Sequence, residues 1–211
     1  MMPVLTADFF TGRPTEKIAK DLLGVTLTRK TDSGIVGGVI VETEAYLGDQ
    51  DTAAHAFGHR KSKANAALFD EAGTLYFYTM RGSILMNLIC QSIGTPQGVL
   101  LRAIEPTIGI EQMTQNRPRA GVELTNGPAK MTAAMGVVSL RFNNTHLDQS
   151  QFALNKDDEH QPQQIVSSAR IGVSEGNWHD RELRFYVGGN PYVSRMRKRE
   201  MDWTTRGWKA N

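Results

Sequence analysis

The stretch Val41-Glu42-Thr43-Glu44-Ala45-Tyr46-Leu47-Gly48 puts two carboxylates and a phenol at alternate positions. On an extended strand successive side chains point to opposite faces, so Glu42, Glu44 and Tyr46 share one face. Like charges this close repel, so the pair does not serve sheet stability, and one of the two is a candidate general acid or base. The competing reading is an edge strand whose polar face meets water. Asp51 and His55 follow, four residues apart. They would pair across one turn if the stretch is helical. Otherwise His55 is a packed imidazole, and a lone histidine with one acid makes no metal site.

Three more spots stand out. Tyr76 and Tyr78 share a face and Phe77 takes the other. They form either core plus sheet surface or a platform on which a flat ring stacks. Asn87 interrupts the apolar run Ile84–Cys90. A buried amide must find hydrogen bonds, either on the backbone or by facing a ligand pocket. Arg102 lies inside Val-Leu-Leu-Arg-Ala-Ile-Glu-Pro. A guanidinium there wants a carboxylate, and Glu44 and Glu105 are the candidates. Beside Glu44 it is expected to keep that carboxylate ionised at neutral pH.

The chain has no G-x-x-x-x-G-K-[ST], no G-x-G-x-x-G and no H-E-x-x-H. Nucleotide-cofactor and zinc-protease chemistry therefore have no motif, and neither cofactor nor metal is expected. The single cysteine, Cys90, excludes an internal disulfide and suits a reducing compartment.

These side chains need elements to position them. Pro14–Leu23 reads as a helix with Pro at its start and Gly24 after its end. Val25–Lys30 and Ile35–Tyr46 read as strands around an Asp-Ser-Gly turn. Thr74–Tyr78, Ile84–Cys90 and Val99–Ile104 read as three more. Ile108–Asn116 and Asn126–Gly136 are expected helices. Asn155–Gln164 is a polar loop, and Ile165–Ile171, Leu183–Val187 and Tyr192–Ser194 are late strands. Runs of short antiparallel strands with few helices point to an α+β fold.

At 211 residues the chain fits one domain, 1–211, large enough to bury about 70% of its unfolded surface without staples. With 40% hydrophobic and 22% charged residues it is neither disordered nor fibrous. The opening Met-Met-Pro-Val-Leu has no basic or long apolar segment, and Ile84–Cys90 is too short to span a bilayer. The expectation is a soluble, cytoplasmic protein without a membrane contact.

The net charge is only +2, but segment 191–211 carries six bases (Arg195, Arg197, Lys198, Arg199, Arg206, Lys209) against two acids. Arg60, Lys61 and Lys63 make a second basic spot. Basic patches around an acidic site suit a polyanion that presents one reactive group to carboxylates; solvated surface charge is the plainer alternative.

Together the stretches VETEAYLG (41–48), DTAAH (51–55), GTLYFY (73–78), LLRAIEP (100–106), NGPAK (126–130) and LRFYV (183–187) resemble the alkyladenine (3-methyladenine) DNA glycosylase family, in family order and over most of the chain. The resemblance implies a single compact α+β domain with a mostly antiparallel curved sheet flanked by helices. It implies hydrolytic removal of alkylated or deaminated purines (the 3-methyladenine, 7-methylguanine, hypoxanthine and ethenoadenine class) from double-stranded DNA, with no lyase step. Glu44 matches the general base and Arg102 the arginine near it. Tyr46, His55 and Tyr78 match the side chains that sandwich the extruded base, and Asn87 the asparagine that disfavours guanine. The family's tyrosine wedge is absent, so Met80 or Arg81 is expected to fill the gap left by the flipped base. Arg60, Lys61, Lys63, Arg197 and Lys198 are the expected phosphate contacts, in a monomer. A damaged-DNA binder of the same fold with weak or lost catalysis is the alternative, and a hydrolase of free nucleosides a third.

Overall fold

The computed structural model describes residues 4–156, 160–173 and 178–210. The β-branched run after the Asp-Ser-Gly turn forms its longest strand, β2 (Gly34–Tyr46), buried from Val36 to Ala45. Along one edge β2 pairs first with β1 (Thr26–Thr31) and then with β9 (Arg184–Val187); along the other it pairs with β5 (Gln97–Ile108). Beyond β5 lie β4 (Ser83–Cys90), β3 (Thr74–Met80) and the two-residue β6 (Thr145–His146). Beyond β1 lies β7 (Phe152–Asn155), and β8 (Ile165–Ser168) pairs with β9. All of these ladders are antiparallel, and the described residues form a single α+β domain with a curled nine-stranded sheet. Two glycines allow β2 to bend between its neighbours: a Cβ at Gly37 would stand 2.3 Å from the Leu27 carbonyl oxygen, and one at Gly38 2.1 Å from that of Glu105.

Helices α1 (Thr15–Asp21), α2 (Ile110–Asn116) and α3 (Pro128–Ala134) pack on the sheet. The Thr43 hydroxyl donates to the Ala19 carbonyl, which places α1 on the face of β2 opposite Glu42 and Glu44. On that side Ile18, Leu22, Leu27, Ile40, Phe77 and Met86 are completely or almost completely buried. Each such side chain contributes about 1.5–3 kcal/mol of burial.

Several expectations need correction. Tyr192–Ser194 is a run of turns, because Asn190 Oδ1 accepts the Tyr192 N–H and bends the chain. The strand expected over Ile165–Ile171 stops at Ser168, where Arg170 turns inward. Ile108 belongs to β5, and α2 starts only after Gly109, whose φ of +65° breaks the strand. Residues 51–55 are turns, not a helix. Asn155 ends β7, opposite Thr26, so the polar loop starts one residue later; its residues 157–159 lie outside the described residues.

The basic C-terminal segment, described to residue 210, is fixed to the sheet through Glu105. That carboxylate accepts hydrogen bonds from Asn190 Nδ2 (2.8 Å), Trp208 Nε1 (3.0 Å) and Arg206 Nη1 (2.5 Å). Glu105 is therefore not the partner of Arg102. No helix among the described residues is long and apolar enough to cross a membrane.

Candidate active site

Glu42 and Glu44 are fully buried, and β2 has neighbours on both edges, so the edge-strand reading fails. The ladder between β2 and β5 slips on both sides of Glu42 and passes over Val41 and Arg102. Such irregularities re-aim side chains. Here Arg102 meets both carboxylates, with Nε 2.8 Å from Glu42 Oε1 and Nη1 3.1 Å from Glu44 Oε1.

The two acids differ in their remaining partners. Glu42 also accepts from Arg184 Nε (2.6 Å), the Ser194 hydroxyl (2.8 Å) and the Ser194 N–H (2.8 Å). Burial pushes its carboxyl up, but Arg102, Arg184 and the Ser194 N–H outweigh that and hold it below the ordinary glutamate value. Among the described residues Glu44 accepts only the Ile171 N–H (2.8 Å) and the Tyr46 hydroxyl (2.9 Å) besides Arg102. For it burial wins and the pKa is raised, with Arg102 opposing and the negative charge of Glu42 reinforcing. The arginine expected to keep Glu44 ionised does oppose its protonation, but burial outweighs it and leaves the carboxyl above the ordinary glutamate value. Two carboxylates pushed apart in this way take different roles, one a fixed charge and the other a group able to exchange a proton.

In front of them lies a cavity of about 500 Å³, in the range of small-molecule sites. Tyr46, His55, Tyr76, Tyr78, Asn87 and Arg102 line it, with Leu85, Leu100, Pro128 and Ile171 as apolar walls. Glu44 sits directly behind Tyr46, Arg102 and Ile171 and does not itself line the cavity. A second depression of about 540 Å³ shares Arg102, Pro128 and Ile171 with the first and is edged by Lys130, Ser194, Arg195 and Lys198.

The aromatic series behaves as its alternation predicts. Tyr76 and Tyr78 stack at 5.4 Å between centroids, while Phe77 packs in the core against Phe142 and Phe152. The His55 ring meets Tyr78 edge-on at 4.5 Å, and its Nδ1 is 2.8 Å from the Tyr76 hydroxyl. Its packed side lowers its pKa by desolvation, so the imidazole is neutral at pH 7. Burial, then the nearby Glu44, push the Tyr78 phenol up to about 12, and the same two causes raise Tyr46. Both phenols keep their protons. Asn87 donates through Nδ2 to the Tyr76 carbonyl at 3.3 Å while lining the cavity, so backbone and pocket both use it.

His55 does not pair with Asp51. That carboxylate holds Arg170 in a two-pronged ion pair (2.6 and 2.8 Å) 119 residues away, and accepts the N–H groups of Leu47 and Ala53. Arg170 and Ile171, the residues sequence reasoning missed, carry no local signal, because their contacts are all long-range.

Met80 borders the cavity and is 45% exposed. Arg81 occupies the tip of the β3–β4 hairpin in a two-residue turn with Gly82, both at positive φ (+49° and +77°). Arg60, Lys61 and Lys63 are exposed on the segment after His55, Lys61 above the Phe69 ring. Arg197 is exposed and lies 3.6 Å from Glu200, and Lys198 edges the second depression. Among the described residues no group of three or more His, Cys, Asp or Glu side chains could hold a metal ion.

The sequence pattern of the family described as methylpurine-DNA glycosylase matches residues 8–191. A Lactobacillus delbrueckii subsp. bulgaricus protein named "Putative 3-methyladenine DNA glycosylase" is 46% identical over 205 residues, covering 95% of this chain and 98% of its own. Proteins of the same name from Enterococcus faecalis (42%; 97% of this chain, 90% of its own) and Lactiplantibacillus plantarum (43%; 92% and 93%) are similar over comparable lengths.

Proposed function

The chain belongs to the methylpurine-DNA glycosylase family, and from that membership we propose how its residues act as a base-excision-repair DNA N-glycosylase on alkylated or deaminated purines in duplex DNA. The observation that carries the proposal is the pairing of a buried Glu44, whose carboxyl burial pushes up, with an aromatic-walled cavity large enough to admit a purine.

A stacked base is out of reach, so the nucleotide swings out at a cost of a few kcal/mol, least for damaged or mispaired bases. Arg60, Lys61, Lys63, Arg197 and Lys198 offset that cost on phosphates, without regard to sequence. The extruded ring stacks among Tyr46, Tyr78 and His55, and Asn87 crowds the exocyclic amino group of guanine. Electron-rich ring faces favour the cationic methylated purines. Water then attacks C1′ as the bond to the purine nitrogen breaks, through an oxocarbenium-like state. The bonding pair leaves with the base, and Glu44 takes the water proton while its charge stabilises the sugar cation. Arg102 and Ile171, common to both depressions, form the rim at which water reaches Glu44.

The test is base release from duplexes containing hypoxanthine or 7-methylguanine. Wild type is expected to release base, and Glu44→Gln to bind the same duplex with release reduced by about 10²- to 10⁴-fold. Tight lesion binding by wild type without any release would replace the enzyme by the binder.

A further inference from the structure

Arg170 has no place in the mechanism above, yet its side chain and the Asp51 carboxylate are both fully buried. The two terminal guanidinium nitrogens both have targets, while Nε has no hydrogen-bond partner among the described residues. Nη1 and Nη2 grip Asp51 at 2.6 and 2.8 Å, and Nη1 also donates to the Ala45 carbonyl at 3.0 Å. Its central carbon lies 4.5 Å from the centroid of the Tyr46 ring. The next residue, Ile171, donates its N–H to Glu44 and lines the cavity. Asp51, through Leu47 and Ala53, ties the same ion pair to the turn after β2 and to the loop that carries His55.

We propose that Arg170, anchored by Asp51, is a positioning residue that fixes the tilt of the Tyr46 ring and the aim of the Ile171 N–H at Glu44. It touches no reacting atom. A buried ion pair contributes little to stability compared with apolar replacements of its volume. What this pair supplies is geometry: a planar, five-donor group can hold a carboxylate, a carbonyl and an aromatic face at once, which a lysine cannot. Misplacing a catalytic group by about 1 Å costs on the order of 10²-fold in rate. The inference rests on the glycosylase reading and names what aligns its general base.

Two variants test it in the full chain. Arg170→Lys keeps the charge pair but loses the plane and the fork. Asp51→Leu/Arg170→Met replaces the pair by apolar side chains of similar size. Both are compared with wild type and Glu44→Gln in single-turnover base release at saturating lesion duplex, across pH. Besides Arg170, the groups facing Glu44 among the described residues are Arg102, Glu42, Tyr46, Tyr78 and the Ile171 N–H, and all of them stay in place in sequence. Both variants are expected to release base at least ten-fold more slowly. The acid limb of the pH–rate profile is expected to move to higher pH, because the carboxylate loses an aligned donor. Affinity for undamaged duplex is expected to be unchanged. A folded variant with the wild-type rate overturns the proposal. So does a slower one whose acid limb has not moved, the result mere loosening of the fold would give. Should the double variant not fold, Arg170→Lys decides alone. If wild type releases no base either, it is the glycosylase reading that fails.

Discussion

Glu42 and Glu44, two residues apart on one strand, share the guanidinium of Arg102 and are driven in opposite directions. Glu42, with four donor groups, is the counter-charge that keeps Arg102 in place. Glu44, with fewer, is the one left able to take a proton.

Catalysis by an anionic Glu44 is lost as pH falls through its raised pKa. The acid limb of the rate profile is therefore expected above the ordinary glutamate value of 4.5. Stability runs the other way. A carboxyl whose folded pKa is raised contributes stability below 4.5 that is lost as pH rises through the raised value. Glu44→Gln is thus expected to melt no lower than wild type at pH 7; a clearly lower melting temperature would contradict this.

Glu42→Gln leaves Arg184 buried without its counter-charge and Arg102 with Glu44 alone, which costs about 3–5 kcal/mol. Its folded pKa is lowered, so its contribution is present above the ordinary value and disappears as pH falls through the lowered one. Denaturant midpoints should differ strongly between variant and wild type at neutral pH and converge in acid.

Tyr78→Ala, made in the Glu44→Gln background so that nothing is cleaved, removes one stacking face. The loss is about 1–3 kcal/mol, or roughly 5- to 150-fold in affinity for a lesion duplex. Undamaged duplex should bind as before. Equal loss on both would assign Tyr78 to the fold and not to the extruded base.

The two candidate wedges are separable. Met80 borders the cavity and is expected to be the side chain that enters the duplex, whereas Arg81 is carried away from it at the tip of the turn. Met80→Ala should reduce flipping of a fluorescent purine analogue. Arg81→Ala should leave flipping intact and lower the salt slope of binding by about 0.9 if it meets a phosphate.

Much of this site was legible in the chain because its parts are short and local. Period-two alternation placed Glu42, Glu44 and Tyr46 together, and Tyr76 with Tyr78 opposite Phe77. What alternation could not give was the slip in the β2–β5 ladder, since register depends on two distant strands; hence Glu105 looked as good a partner for Arg102 as Glu44, and Glu42 was not foreseen. Arg170 was hidden for the same reason. An arginine at the end of a polar strand says nothing until the chain brings Asp51 to it. The expected strand at Tyr192–Ser194 failed because Asn190 bends the chain just ahead of it.

The grip of Glu105 on Asn190, Arg206 and Trp208 turns the basic C-terminal stretch from a tether into part of a mould. Its cations have their spacing set when the protein folds, before any polyanion arrives. An incoming duplex would then have to match a fixed pattern of charge instead of being wrapped by a loose arm, and little chain entropy would be spent in the encounter.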